Sequence, residues 1–458
     1  MEMGLPLFYA LSILLYLASV AFAENTSPAL CSSKFNTKCN SNSSSLHLTL
    51  YHPRNPRSPA SISDVPISTI LSHDEARVKS LALRFSKIPS SRPTSLDRHF
   101  DTKSVSDPLT PGGSVGLGNY VTQVGIGTPA TSYVMVVDTG SSLSWMQCRP
   151  CTVSCHAQVG TVFNPKSSNT YRAITCSATE CTSLRSATLN PSACSSNVCI
   201  YQASYGDSSF SVGYLSKDTL SLGSHFAFPN FTYGCGQDNE GLFGKSAGLI
   251  GLARNKLSLL SQLAPKLGYA FSYCLPTTKS TGFLSIGSYN NPAGFSYTPL
   301  VSSSLDDALY FLKLAYISVA GKPIAVPASA YGSIPTIIDS GTVITRLQSD
   351  VYTALSKAFL ATMRGHKRAD AYSILDTCFK GKVASTAVAA VALVFDGGAT
   401  MKLRPENIMI SLNNGKLTCL AFAPATSVSI IGNTQQQTFK VVYDVAGKRL
   451  GFAASGCR

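Results

Sequence analysis

The sequence lacks several features that would point to other classes of protein. Beyond residue 22 it contains no apolar run long enough to cross a bilayer. Residues 453–458 have no lipid-anchor tail, so we expect a chain with no membrane anchor. His156, His225 and His366 are isolated and show no ligand-like spacing, and we therefore expect no metal and no cofactor.

The sequence also lacks a convincing serine-hydrolase motif. Residues 112–116 fit the letters G-x-S-x-G. However, a Pro-rich connector precedes them and a β-like run follows, where a nucleophile elbow needs a strand and then a helix. We interpret this segment as a flexible joint.

What the sequence does contain is one acidic motif present twice. Asp138 follows two valines and precedes Thr-Gly-Ser, and Asp339 follows two isoleucines and precedes Ser-Gly-Thr. An apolar strand is a poor place for an ionised carboxylate unless hydrogen bonds or a functional partner hold it there. Each copy has a matched downstream element, at residues 248–251 and 429–432. Two unrelated acidic turns would not explain four matched elements in order.

A repeat of such long period predicts two similar lobes, each contributing one Asp. Two carboxylates a few Å apart do not both ionise easily, so the pair holds one proton near or below neutral pH. The arrangement supplies an acid and a base in one site.

These motifs resemble those of the pepsin-type aspartic proteases, specifically the nepenthesin-like group of plants, over residues 114–458. The resemblance implies an all-β, bilobal pepsin-like fold of two pseudo-symmetric β lobes with a few short helices. The lobes would be residues 114–300, with a Cys-rich insert at 148–199, and residues 301–458. The implied activity is that of a monomeric endopeptidase that cleaves proteins or peptides in acid, with Asp138 and Asp339 catalytic.

The neighbours of the two aspartates receive roles from the same resemblance. Thr139 and Ser340 would lock the two catalytic loops together, and Ser141 and Thr342 would hydrogen-bond the outer carboxylate oxygens. The matching glycines of the two loops are Gly140 and Gly341. Simple turn capping is compatible with all of these positions.

A flap is predicted over the cleft. Tyr205 and Gly206 lie between two β-like runs, and the resemblance implies that Trp145, the single Trp of the chain, is the hydrogen-bond partner of Tyr205. The alternative is an ordinary strand Tyr and a core Trp.

Residues 1–23 are predicted to be a secretory signal, because an apolar stretch ends in Ala-Phe-Ala. An uncleaved anchor helix is the alternative. Sequons at Asn25, Asn42 and Asn230 fit secretion to the apoplast, or delivery to the vacuole. A relative of the same subgroup, a plastid nucleoid DNA-binding protease, suggests another location, but the leader is not Ser- and Arg-rich as a transit peptide is.

The resemblance implies that residues 24–113 are an inhibitory prosegment, and its residues predict one helix at 72–85, capped by Ser72 or Asp74. The segment contains 11 Lys and Arg against 7 Asp and Glu, so we expect charge to hold it over the two carboxylates and acid to release it. A disordered linker is the alternative, and it is our interpretation for residues 87–113. We expect the cut that removes the prosegment to fall within residues 101–113.

The basic balance continues after the prosegment, with 26 Lys and Arg against 15 Asp and Glu from residue 114. An excess of basic residues can favour binding to nucleic acid. The basic residues are scattered, however, so we interpret them as solvated surface and expect no nucleic-acid partner.

Fourteen cysteines behind a signal peptide favour an oxidising compartment. Cys31 and Cys39 are close enough in sequence to pair. Seven of the twelve others crowd into residues 148–199, an odd number, so at least one would pair outside. A zinc or redox role for Cys148-x-x-Cys151 is the alternative. The family resemblance implies the pairs Cys148–Cys151, Cys155–Cys235, Cys176–Cys199, Cys181–Cys194, Cys274–Cys457 and Cys378–Cys419.

Local patterns predict the secondary structure of the two lobes. Helical spacing of leucines predicts a short helix from Leu257 that stops before Pro265, and a second helix at residues 349–363 behind a Ser cap. β-rich runs predict strands at 120–126, 132–137, 210–222, 310–319 and 440–443.

Overall fold

The computed structural model describes ten stretches of the chain, which are residues 45–61, 65–86, 119–151, 153–205, 209–223, 226–241, 243–287, 294–304, 306–454 and 456–457. Several predictions lie outside these residues. They are the signal at 1–23, the linker at 87–113, the motif at 112–116, Gly206, His225, the sequons Asn25 and Asn42, and the pair Cys31 with Cys39.

The first half of the described chain contains fourteen strands. Its strands are β1 Ser45–Leu50, β2 Val121–Ile126, β3 Thr131–Asp138, β4 Trp145–Gln147, β5 Ser154–Cys155, β6 Arg172–Ala173, β7 Ala193–Ser195, β8 Val198–Ser204, β9 Phe210–Leu222, β10 Phe226–Glu240, β11 Gly248–Gly251, β12 Ala270–Cys274, β13 Gly282–Gly287 and β14 Ser296–Pro299.

The second half continues in the same way. Its strands are β15 Phe311–Leu312, β16 Leu314–Val319, β17 Lys322–Pro323, β18 Thr336–Ile338, β19 Thr345–Gln348, β20 Arg368–Ala369, β21 Cys378–Lys380, β22 Val391–Phe395, β23 Thr400–Leu403, β24 Met409–Leu412, β25 Leu417–Leu420, β26 Phe422–Ala425, β27 Ser429–Ile431, β28 Lys440–Asp444 and β29 Arg449–Ala453.

Helices are few and mostly short. The α-helices of the described residues are α1 Ile67–Ser86, α2 Thr179–Thr182, α3 Leu184–Thr188, α4 Leu259–Leu267, α5 Ser349–Thr362, α6 Pro405–Ile408 and α7 Asn433–Gln436. Short 3₁₀ segments lie at Pro165–Ser167, Ala328–Gly332, Ser385–Ala387, Asp396–Gly398 and Asn413–Gly415.

The strands form two lobes joined by a shared sheet. The first lobe is a ten-stranded sheet whose centre runs β10-β4-β11-β3-β2-β9, and the second is built on the five-stranded sheet β15-β18-β27-β19-β26 with two four-stranded sheets. A six-stranded sheet of order β1-β13-β12-β28-β29-β14 takes strands from both halves. The all-β, bilobal prediction is confirmed.

The predicted prosegment contributes an edge strand and the longest helix. Strand β1 pairs antiparallel with β13, and Leu46, Leu48 and Leu50 are buried there. Helix α1 begins at Ile67, five residues before the predicted start at Ser72. Ser72 is therefore interior to the helix, where its hydroxyl donates to Ser68 O (3.0 Å), and Asp74 is not its N-cap but a buried contact with the second lobe.

The other predicted elements are close to the observed ones. The strand at 210–222 coincides with β9, while the run at 310–319 is divided into β15 and β16. Helix α4 includes Pro265 instead of ending before it, and it is capped by Ser258. Helix α5 is capped by the Gln348 side chain, which accepts from the amides of Asp350 and Val351, and not by Ser349.

Two of the six predicted disulfides, Cys274–Cys457 and Cys378–Cys419, are present. The predicted pairs Cys148–Cys151 and Cys155–Cys235 are wrong, because the structure joins Cys148 to Cys235 and Cys151 to Cys155. The reason is strand pairing: β4 runs beside β10, and the Cys148 amide donates to Gly236 O (2.8 Å), so Cys148 and Cys235 have Cα atoms 5.3 Å apart.

The predicted pairs Cys176–Cys199 and Cys181–Cys194 are also wrong. The structure has Cys176–Cys194 and Cys181–Cys199, which interleave instead of nesting. Cys194 and Cys199 lie directly opposite each other in the β7–β8 hairpin but differ in burial. Cys199 is fully buried and packs with buried Cys181 in the core, while Cys194 is exposed and meets Cys176, which is only partly buried.

Candidate active site

Asp138 and Asp339 end equivalent strands in the two lobes. Asp138 is the last residue of β3, which pairs parallel with β11, and Asp339 follows β18, which pairs parallel with β27. Leu252 N–H donates to Asp138 O (2.9 Å), and Asp339 N–H donates to Ile431 O (3.1 Å). The downstream elements matched in the sequence are thus the strands that pair beside those leading to each aspartate, and both aspartate side chains are fully buried.

A reciprocal pair of hydrogen bonds joins the two loops. Thr139 N–H donates to Ser340 Oγ (3.2 Å), and Ser340 N–H donates to Thr139 Oγ1 (2.8 Å). Each hydroxyl therefore accepts from the opposite backbone, as expected of the lock. Serine in place of threonine keeps the contact because only the hydroxyl takes part. The hydroxyl oxygen of Ser340 also lies 3.5 Å from Val137 O.

Gly140 and Gly341 leave space for the opposite aspartate. Each N–H donates to Oδ1 of the Asp two residues earlier, at 3.0 Å in both lobes. A Cβ on Gly140 would lie 2.8 Å from Asp339 Oδ1, and one on Gly341 would lie 2.5 Å from Asp138 Oδ1. A side chain at either position would clash with the opposite carboxylate and with the guanidinium of Arg77.

The support of the outer carboxylate oxygens differs between the lobes. Thr342 Oγ1 donates to Asp339 Oδ2 (2.6 Å), as the resemblance implied. In the first lobe Asp138 Oδ2 and Ser141 Oγ are buried, and neither has a hydrogen-bond partner. The predicted contact of Ser141 with Asp138 is therefore not formed in this state.

The flap hairpin and its Trp are brought together over the cleft. Strands β8 and β9 pair antiparallel up to Ser204 and Phe210, and Tyr205 N–H donates to Ser209 O (2.8 Å). Trp145 Nε1–H donates to Tyr205 OH (2.7 Å), as expected for a flap contact. The ring of Phe243 contacts both rings edge to face.

Helix α1 lies across the dyad, and its Arg77 binds both aspartates. Arg77 Nη2 donates to Asp138 Oδ1 (2.7 Å) and Asp339 Oδ1 (3.1 Å), and Nε donates to Asp339 Oδ2 (3.0 Å). Burial by itself would raise the pKa of Asp339, but Arg77 with Thr342 and the Gly341 amide outweighs it and holds this pKa below its usual value.

Two more ion pairs fix the helix on either side of the dyad. Asp74 accepts from Arg346 Nη2 (2.9 Å), with both side chains buried. Ten residues further along, Arg84 binds Asp306 Oδ2 (2.5 Å) and donates to Gly140 O (3.0 Å). Apolar residues of the same helix face, including Leu71, Val78 and Leu81, pack into the second lobe.

Part of the substrate cleft remains open beside the helix. A cavity of about 240 Å³ is lined by Asp138, Gly140 and Ser141 of the first loop, by Tyr205 of the flap, and by Arg77 of α1. This cavity therefore lies between the flap and Asp138.

The sequence patterns did not reveal the charged contacts of the helix, whose residues are Asp74, Arg77, Arg84, Asp306 and Arg346. One signal was available: Asp74, Arg77 and Arg84 fall on one face at helical spacing.

The described residues contain no group of three or more His, Cys, Asp and Glu arranged to hold a metal ion. None of the helices in the same part of the chain combines the length and apolar character that a bilayer crossing requires.

Comparison with known proteins agrees with this architecture. Two family models match, "Xylanase inhibitor N-terminal" over residues 120–288 and "Xylanase inhibitor C-terminal" over residues 309–454. An aspartyl protease family protein of Arabidopsis thaliana is 41% identical over 393 residues, covering 85% of this chain and 82% of the relative. Aspartic proteinase nepenthesin-1 of Nepenthes gracilis is 37% identical over 356 residues, covering 75% of this chain and 79% of the relative.

The fold is also found among solved structures. Conglutin gamma, a basic 7S globulin from lupine seeds, superposes with a TM-score of 0.59 at 23% identity, over 73% of this chain and 91% of that one. Identity at this level shows the shared fold alone. The curated relatives show more, and the chain belongs to the pepsin-like aspartic protease family of plants.

Proposed function

We propose that this chain is an aspartic endopeptidase, made as a zymogen, that hydrolyses peptide bonds at acid pH. The observation that carries the proposal is that Asp138 and Asp339 are buried side by side, locked by Thr139 and Ser340, and bridged by one guanidinium. Two carboxylates that share one cation are also close enough to share one proton and one water after the cation leaves.

The proposed chemistry needs only these side chains. The ionised member of the pair takes a proton from a water as that water attacks the scissile carbonyl carbon. The protonated member donates a hydrogen bond to the carbonyl oxygen and stabilises the tetrahedral intermediate. The Gly140 and Gly341 amides and the Thr342 hydroxyl hold the carboxylates in place, and the flap residue Tyr205 closes over the substrate.

Helix α1 supports the zymogen part of the proposal. With Arg77 bound to both aspartates, neither carboxylate is available to activate a water, and the helix occupies the position of a substrate. The segment before Ser114 therefore acts as an inhibitor within the same chain, and removing it opens the site.

The main alternative is a catalytically silent binding protein on the same fold, since the matching family models are described as xylanase inhibitors. Both aspartates and both loop glycines are present, which favours the enzyme. We expect the acid-processed protein to cleave denatured protein substrates between about pH 3 and 6, as seen by mass spectrometry of the fragments. A processed, folded protein that cleaves none of them would support the silent alternative.

We further propose secretion to the apoplast, with the vacuole as the alternative destination. Asn230 is exposed on β10 at an irregularity in its pairing with β9, where a glycan would not disturb the sheet. We expect an N-glycan at Asn230, measured as a mass shift on treatment with a glycosidase and lost in Asn230→Gln. An unglycosylated protein inside plastids would instead support the nucleoid location.

A further inference from the structure

We propose that Arg346 and the backbone N–H groups of Val343 and Ile344 form a subsite for an acidic side chain of the substrate. The inference rests on the proposed function, because the subsite becomes accessible only when helix α1 leaves the cleft. In the structure described here the carboxylate of Asp74 occupies it and stands in for the substrate group.

The occupant is held by three donors from one short segment. Val343 N–H donates to Asp74 Oδ1 (2.5 Å), and Ile344 N–H donates to Oδ2 (3.2 Å). Arg346 Nη2 donates to the same Oδ2 (2.9 Å). Two converging amides and a guanidinium are suited to a carboxylate, since hydrogen bonds to an ionised acceptor are short and strong.

Arg346 loses its counterions when α1 leaves. Its side chain is 1% exposed, and its ion pairs within the described residues are with Asp74 and with Glu75 (3.2 Å), both on α1. Its Nε and Nη1 have no hydrogen-bond partner even with the helix in place. A guanidinium in such a site needs water or another anion, because an unpaired buried charge is strongly unfavourable.

The subsite lies close to the bond that would be cleaved. Asp74 and Arg77 are three residues apart on one helix face, an axial distance of about 4.5 Å. Since Arg77 is bound to the dyad, the carboxylate site is about one helical turn away from it. An extended peptide advances about 3.3 Å per residue, so the acidic side chain would belong to a residue within about two positions of the scissile bond.

A substrate carboxylate would replace Asp74 contact for contact. A Glu or Asp side chain offers two acceptor oxygens and a negative charge, whereas Gln offers one acceptor and two donors that would face the guanidinium. The preference should be for the ionised acid, because a guanidinium binds an anionic oxygen more strongly than a neutral amide oxygen.

The test compares pairs of peptides that differ only in Glu or Gln, with that residue moved through the two positions on each side of the cleaved bond. At one position we expect kcat/KM to be about tenfold higher for Glu at pH 5.5, the size of one charge-assisted hydrogen bond. The ratio should fall towards one at about pH 3, since free Glu has a pKa of about 4.3. Protonation changes within the enzyme affect both peptides equally and cancel from the ratio, while Asp74 and Glu75 have left with α1.

Variants decide whether Arg346 is responsible. Arg346→Met should bring the Glu-to-Gln ratio near one, Arg346→Lys should keep part of it, and Lys313→Met, which removes an exposed positive charge, should leave it unchanged. Both peptides are measured with the same preparation, so any loss of folded or active protein cancels from the ratio. A ratio near one at all four positions in the wild type, or a ratio that survives in Arg346→Met, would overturn the subsite.

Failure of the proposed function gives a different result, in which neither peptide is cleaved. The subsite is then tested by calorimetry on the chain freed of its N-terminal segment by limited trypsin treatment, with the same uncleaved peptides. A roughly tenfold tighter Kd for the Glu peptide, lost in Arg346→Met, would support the subsite without catalysis. Equal Kd values would overturn it.

Discussion

Replacing Asp138 or Asp339 by Asn is expected to reduce peptide hydrolysis by at least about 10²- to 10⁴-fold, the usual contribution of general acid–base catalysis. The reason is that an amide can neither accept the proton of the attacking water nor share a proton with the other carboxylate. The replacement has the same size, so the loop bonds from Gly140 and Gly341 to the side-chain oxygens can remain. The measurement is kcat/KM on a peptide substrate at acid pH.

Two controls make this result interpretable. The variants are first processed by immobilised wild-type enzyme, so that an uncut helix α1 does not account for the loss. Asp396→Asn, at an exposed ion pair with Lys313 (3.9 Å), removes one carboxylate from the surface and should leave the rate unchanged. Substantial hydrolysis by either dyad variant, with unfolding temperatures equal to that of the wild type, would eliminate the shared-dyad mechanism.

Removal of the prosegment is expected to be at least about tenfold faster at pH 3 than at pH 7, and absent in purified Asp138→Asn. Arg77 holds the pKa of Asp339 below its usual value while the helix is docked. A carboxyl group with a lowered pKa stabilises the docked state above its undocked pKa. This stabilisation is lost as the pH falls through the docked pKa. Acid therefore weakens this contact, and conversion is followed by gel electrophoresis and N-terminal sequencing.

One group of the helix opposes this effect. Burial raises the pKa of Asp74, against the lowering influence of Arg346 and of the Val343 and Ile344 amides. A carboxyl group with a raised pKa takes up a proton on docking and favours the docked state in acid. We expect the dyad contact to dominate because two carboxylates share Arg77 there, and conversion of Asp74→Asn should then keep its acid dependence.

The Arg77→Met variant separates the charge contact from the rest of the helix. Breaking a buried ion pair by removing one partner costs about 3–5 kcal/mol, so docking should weaken by two orders of magnitude or more and conversion should become rapid nearer neutral pH. The matched control is Lys79→Met, since Lys79 lies on the same helix, is 72% exposed and approaches Glu75 only at 4.0 Å. Equal conversion rates for wild type and Arg77→Met at all pH values would contradict the electrostatic latch. Normal maturation of purified Asp138→Asn would instead assign processing to another protease.

The sequence by itself determined the two-lobed β fold and the residues of the dyad. The reason is that each half repeats a local pattern, an apolar strand followed by Asp, a hydroxyl residue and Gly, and local patterns can be recognised without knowing their partners. The parallel pairing of β3 with β11 and of β18 with β27 follows the matched elements that the sequence displayed.

Only the tertiary structure decided which distant residues meet. Cys148 lies three residues from Cys151, yet it pairs with Cys235 because β4 and β10 run side by side, and sequence distance carries no information about that neighbour. The same is true of Arg346 and Asp74, which are 272 residues apart and meet only because α1 docks on the second lobe. Charge composition predicted a basic segment held over two carboxylates. The helix presents a particular face to the cleft after its apolar residues are buried. That face decides that Arg77 binds both aspartates and that Asp74 binds Arg346.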